Sequence, residues 1–295
     1  MRTMLETNKD KLIVTAVQGV VQPSSGRGYG TTWDGKPKLS IGTASINYST
    51  HVGDPVFYWS KADHVEPDVT IQGRDKPSPS DCAMAILACI GNEAKVVSGD
   101  AKGGKGLYIG RHAGADDLVW FPPEVVEELA IDDKIQIKAW GVGLQIIGFD
   151  DVKVNKVSPE FLESIGIEIR NEKLIVPVAA ELPGWILGAG IGFDPAVETV
   201  DYDIQTTCPV TNEELDLKNI RLGDLVAIHD HYDAWGRGRY EGAITIGVVV
   251  HGWSDSGGHG PGVNPILAAL PGRIETRLDR FANVAYILGI REREL

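Results

Sequence analysis

The sequence predicts a mainly β fold of the α+β class, a barrel-like or sandwich-like architecture in two parts with three or four short helices. Three observations carry this. Thirty-five glycines and 16 prolines in 295 residues demand frequent turns, which favours many short strands over a few long helices. Several short runs alternate apolar and polar residues, the period of a half-buried strand. Helix start and stop signals are few and lie close together.

Three segments share one local plan: VGDPVFYW (52–59), IDDKIQIKAW (131–140) and LGDLVAIHD (222–230). Each has a tight turn carrying aspartate, followed by alternating apolar residues, clearest at Ile135, Ile137 and Ala139 and at Leu225, Ala227 and His229. Further strands are expected at 12–21, 93–98, 106–110, 144–149, 173–180, 200–206 and 243–251. Helices are expected at 78–91, capped by Ser80 or Asp81, stopped by Gly91 and apolar enough all round to be buried. Two more are expected at 122–130 and at 158–166, the latter with Ser158 as cap and Pro159 at its first position. The polar stretch GFDDVKVNKVSPE suggests a boundary near residues 150–158. Residues 1–152 then form a β-rich domain with the buried helix and an SH3-like segment, and residues 153–295 a second β-rich domain carrying the site.

With Lys+Arg at 28 and Asp+Glu at 41, the net charge is −13, which works against binding a phosphate backbone, so a nucleic-acid partner is disfavoured. No apolar run approaches the ~18–20 residues of a membrane helix, and no signal peptide is expected in MRTMLETNKDKLIVTAVQ. Three cysteines with no CxxC support neither a disulfide framework nor a thiolate zinc site. A cytoplasmic protein is expected, and exposed strand ends suggest a homo-oligomer.

Chemistry concentrates between residues 227 and 263, where four of the seven histidines lie. On a regular strand His229 and His231 would share one face with Cα atoms ~6.6 Å apart, close enough for one metal; a strand end exposing polar groups to water is the plainer alternative. His251 follows an apolar run and so ends a buried strand. His259 sits in a loop whose glycines, Gly258, Gly260 and Gly262 among them, let backbone N–H groups approach a ligand. Arg237 and Arg239 could present guanidinium forks to an anion. Lys102 and Lys105 in SGDAKGGKG lack the Gly-Lys-Ser/Thr ending of a phosphate loop, though with Arg111 they could hold a carboxylate. Alternation around VDYDIQ places Asp201 and Asp203 on one face, as a carboxylate pair or as a solvated strand.

Several runs together, VGDPVFYW, DHVEPDVTI, LACIGNEAKVVSGDAKGGKG, IKAWGVGL, VDYDIQT and GAITIGVVVHGWSDSGGHGPGV, resemble a prokaryotic family catalogued as a domain of unknown function. The resemblance spans nearly the whole chain and implies a two-part, β-rich architecture without an assigned activity. Its pattern is matched at Asp230, Gly236, Arg237, Gly238, His251, His259, Gly260, Pro261 and Gly262, while His229 and His231 depart from it. More distantly, VPVAAELPGWILGAGIGFDPAVETVDYDIQTT is similar to the acetamidase/formamidase pattern of metal-dependent amide hydrolases, with GAGIG standing where their aspartate–histidine element would be.

The leading expectation is a metal-dependent hydrolase or lyase for a small polar amide or carboxylate. Asp230, His251 and His259 would bind a divalent zinc, manganese or iron ion. Asp203, Arg237 and Arg239 would act on the substrate, with the glycines and Lys102 and Lys105 lining its site. The alternatives are a non-enzymatic metabolite- or anion-binding protein and, third, an RNA-binding module using residues 98–111.

Overall fold

The computed structural model describes residues 5–293, apart from 25, 42–44, 58, 61, 74–78, 115, 193–196 and 235–236. The first half contributes β1 (Thr15–Val21), β2 (Gly26–Thr31), β3 (Pro37–Ile41), β4 (Val69–Gln72), β5 (Glu93–Val96), β6 (Lys105–Arg111), β7 (Asp117–Trp120) and β8 (Lys134–Ala139). Six of these close an antiparallel barrel in the order β1-β4-β7-β6-β5-β8, while β2 and β3 pair separately as a hairpin. The alternation legible in the sequence sets the interior: β8 buries Ile135, Ile137 and Ala139 and exposes the residues between them.

The second half contributes β9 (Val152–Val154), β10 (Glu168–Arg170), β11 (Lys173–Val178), β12 (Ala180–Pro183), β13 (Tyr202–Asp203), β14 (Leu225–Asp233), β15 (Arg237–Val249), β16 (Gly262–Ala269) and β17 (Ile274–Leu278). Its main sheet runs β12-β14-β15-β16-β13, with β9 also on β16; β10, β11 and β17 form a smaller sheet in which β11 and β17 are parallel. All eight residues of β16 are buried, as expected of a strand covered on both faces. One apolar core joins the halves, with Ile71, Ile135 and Ile137 in the same cluster as Leu225, Ile246 and Ile266.

The helices are α1 (Pro79–Leu87), α2 (Pro123–Val126), α3 (Pro159–Ser164), α4 (Pro209–Glu214) and α5 (Val284–Ile287). Ser158 caps α3, its hydroxyl accepting from Phe161 N–H at 3.1 Å. α1 starts at Pro79, so Asp81 lies inside its first turn, where its side chain instead accepts from Gly73 N–H. Two expected strands do not form. In 52–59 the Asp54 carboxylate ties back to His51 N–H, and Gly53 and Val56 donate their backbone N–H groups to Leu222 and Ile220 of the second half. Residues 144–149 make turns, with one bridge from Ile146 to Thr7. Among the described residues, no helix is long and apolar enough to cross a membrane.

The halves are joined at a buried amide. Asn264 of β16 accepts from Arg111 N–H through Oδ1 at 2.8 Å and donates through Nδ2 to the Arg111 carbonyl at 2.7 Å. Its Nδ2 also donates to the Val200 carbonyl at 3.3 Å.

Lys156 is an ammonium inside the fold. It is fully enclosed, donates to the Ala85 carbonyl and lies 5.1 Å from the centre of the Tyr108 ring. Burial lowers its pKa from 10.5 to about 8, against the opposing pull of Asp117. Between those values the unfolded chain holds a proton that the folded chain lacks, so this group makes stability rise with pH across that window. The full rise corresponds to roughly 3 kcal/mol. Urea unfolding at pH 7.5 and pH 10 is expected to show about two thirds of this increment in the native protein relative to Lys156→Met, in which the increment disappears.

Candidate functional site

Where the barrel meets the second sheet, six side chains from distant parts of the sequence converge. They form two adjoining sets, His64 with Asp203 and His259, and His112 with Asp201 and His251. Within each set the nitrogen and carboxylate oxygen atoms lie within 4.8 Å of one another. The sets touch: the His64 ring centre lies 5.0 Å from that of His251 and 5.7 Å from that of His112.

Each element delivers its side chain for an identifiable reason. Asp201 and Asp203 flank Tyr202, and the strand period turns both carboxylates to one face, with Tyr202 in the core beneath. Asp203 sits opposite Gly262 of β16, where a side chain cannot be accommodated. A Cβ on Gly262 would lie 2.1 Å from His251 Nε2 and 2.3 Å from Asp201 Oδ2. His251 lies just beyond the end of β15, and His112 follows Arg111, whose backbone Asn264 fixes. His64 has a left-handed backbone with φ 52°, a conformation costing about 1–2 kcal/mol for a residue with a Cβ. It is held by its N–H donating to Trp253 carbonyl at 3.1 Å and by Gly252 N–H donating to Val65 carbonyl at 2.8 Å.

Outer partners orient three of the rings. Asp63 Oδ2 lies 3.2 Å from His64 Nδ1, Glu66 pairs with His112 Nδ1, and the Gly252 carbonyl lies 3.1 Å from His251 Nδ1. In all three the Nε2 atom is left facing inward, the arrangement that orients histidines toward a cation. Lys38 of β3 reaches Asp63 at 2.9 Å and also pairs with Asp255.

Asp203 links the sets. Its Oδ2 lies 3.0 Å from His259 Nδ1 and 3.6 Å from His64 Nε2, while its Oδ1 lies 3.4 Å from His251 Nε2. Asp201 Oδ2 lies 3.0 Å from His251 Nε2, yet both atoms are buried without a well-directed hydrogen bond. His64 Nε2 and His259 Nδ1 approach to 3.1 Å. Burial disfavours charge on His251, but Asp201 and Asp203 overcome it and hold its pKa well above the ordinary value. Burial, reinforced by His251, pushes His112 well below the ordinary value and keeps it neutral. Asp203 is driven up by burial but held far below the usual carboxylate range by His251, His259 and His64.

Of the residues singled out in the sequence, the structure brings together Asp201, Asp203, His251 and His259, with three of the loop glycines beside them. Gly260 N–H donates to Asp203 Oδ2 at 3.2 Å, the Gly258 carbonyl accepts from Ala189 N–H, and Gly262 supplies the clearance. Asp230 stands apart. It has φ 56° at a bulge in which residues 240–243 of β15 lie opposite it alone, and its Oδ1 accepts from Gly242 N–H at 2.7 Å. That bulge separates the HxH pair: His229 lies 3.5 Å from Glu181, while His231 is buried against Thr245 and Tyr202. Arg239 is exposed opposite His231, and the Arg237 side chain lies outside the described residues. Lys102 is exposed, Lys105 is exposed 3.9 Å from Glu93, and neither belongs to the cluster. Arg111 does hold a carboxylate, that of Asp117. His64 and His112 escaped the sequence reading. Their local signals were slight: a histidine among the acids of DHVEPD, and one just past a strand end in GRHAG.

The family model for the N-terminal domain of DUF4438, a domain of unknown function, matches residues 29–163, and the model for its C-terminal domain matches residues 164–288. TM1086, known from its crystal structure, is similar with 39% identity over 96% of this chain and 99% of its own, at a TM-score of 0.90. No curated protein matches.

Replacing Asn264 with leucine would strip partners from the buried N–H and carbonyl of Arg111. A loss of about 2–4 kcal/mol is expected in urea unfolding, and unchanged stability would show that the junction does not depend on this amide.

Proposed function

The chain belongs to the DUF4438 family, and from the geometry of its side chains we propose a metal-dependent hydrolase acting on a small polar molecule, with an amide as the preferred substrate class. The observation carrying this reading is the pair His251 Nε2 and Asp201 Oδ2, buried and 3.0 Å apart without a well-directed hydrogen bond. Buried polar atoms ordinarily find partners, and a cation between converging ligand atoms supplies one. The nitrogen and oxygen donors, with no thiolate among them, suit zinc, manganese or iron.

Such an ion supplies Lewis acidity and lowers the pKa of a coordinated water. The protein does the rest. Asp63 and Glu66 hold His64 and His112 in orientation, Gly262 keeps the space clear, and His259, whose side chain is 38% exposed, opens the cluster to solvent. The nearby ammonium, Lys38, is engaged by Asp63 and Asp255, and Arg239 lies on the exposed part of β15. With Lys38 so engaged, a neutral amide fits the site better than a carboxylate.

Full-length protein purified without a histidine tag is expected to carry zinc, manganese or iron in at least stoichiometric amount by elemental analysis, and to be stabilised by readdition after chelation. Glu66→Gln, which preserves shape but weakens the hold on His112, is expected to lower metal affinity by about 10–100-fold while leaving the melting temperature of metal-free protein near wild type. Less than about a tenth of an ion per chain, with no thermal shift on adding metals, would overturn the reading. Turnover is checked by ammonia release from a panel of small amides, expected in the metal-loaded protein and absent after chelation.

A further inference from the structure

We propose that the centre holds two ions rather than one: an inner ion enclosed by protein and an outer, exchangeable ion, bridged by the two oxygens of Asp203. This rests on the metal reading above and specifies its form.

Three observations lead to it. First, the six donors do not surround a single point but divide into two complete sets, each with two imidazole nitrogens and a carboxylate. Asp203 directs Oδ1 toward the inner set, 3.4 Å from His251 Nε2, and Oδ2 toward the outer set, 3.0 Å from His259 Nδ1. A carboxylate used in this way suits ions about 3.5–4 Å apart, the spacing of two-metal hydrolytic sites.

Second, charge favours two. Asp63, Glu66, Asp201 and Asp203 are all buried, and Lys38 is shared with a fifth carboxylate, that of Asp255. One dication would leave the group anionic in a poorly solvated place, whereas two bring it close to neutrality. Buried charge of one sign is costly without compensation.

Third, the two positions differ in closure. The inner one has four protein donors, His112, Asp201, His251 and Asp203 Oδ1, all from buried residues. Four protein ligands with no open position is the pattern of a structural ion. The outer one has three, His64, His259 and Asp203 Oδ2, with His259 partly exposed. Three protein ligands leave a coordination position for water or substrate. The inner ion therefore holds the junction and sets the field, and the outer ion is where a substrate carbonyl would be polarised.

The test uses the full chain, stripped by chelator, reloaded with zinc and desalted. About two zinc ions per chain are expected, one exchanging for added cobalt(II) at least about tenfold faster than the other, as open and closed coordination require. His259→Ala is expected to retain about one ion, the slowly exchanging one. His259→Gln serves as a second variant should the first fail to fold. Loaded with manganese(II), the native protein is expected to give a spin-coupled electron paramagnetic resonance spectrum that both variants lose. One ion per wild-type chain, or two that exchange at a single rate without spin coupling, would overturn the two-ion inference and leave the metal reading standing. No ion at all would overturn both.

Discussion

The site depends on one buried amide. Asn264 satisfies both backbone groups of Arg111 and reaches the Val200 carbonyl, so a single side chain of β16 fixes the residues immediately before His112 and Asp201. Because it offers donors and an acceptor in fixed geometry, it sets the registration of the barrel end against the second sheet. The barrel delivers His112, β13 and the residue just before it deliver the aspartates, and β16 provides the Gly262 clearance between them. Those elements have their proper relation because the amide in their midst has no other way to satisfy its bonds.

Around that junction the protein places acids twice over. Asp201 and Asp203 face the cluster, while Asp63 and Glu66 stand behind its histidines. Keeping this many carboxylates out of water is expensive unless each has a partner. The histidines, Lys38 and the backbone N–H groups of Ala113 and Gly260 supply part of that compensation. The His64 loop takes a backbone conformation that a side chain resists, consistent with strain concentrating where geometry serves chemistry.

The sequence exposed features governed by local rules. Alternation located the barrel interior at Ile135, Ile137 and Ala139, Ser158 announced α3, and strand period put Asp201 and Asp203 on one face. It did not expose features governed by distant contacts. His64 and His259 are 195 residues apart yet lie 3.1 Å from each other, and no local pattern announces such a meeting. The same limit explains Asp230, which drew attention by sitting between two histidines. The three extra residues of β15 opposite it, visible only through pairing, turn the strand and give its carboxylate to Gly242. Residues 52–59 show the converse: their apolar pattern suits a strand, but their backbone bonds are taken by the other half.

The site has mixed parentage. Two of its histidines belong to the barrel half and two to the other, which also supplies both inward aspartates. Neither half expressed alone would carry a full donor set, so neither could pass the chemistry on through domain shuffling. Selection on that chemistry would therefore act on the docking of the two halves as strongly as on the side chains themselves, tying their inheritance together as one unit.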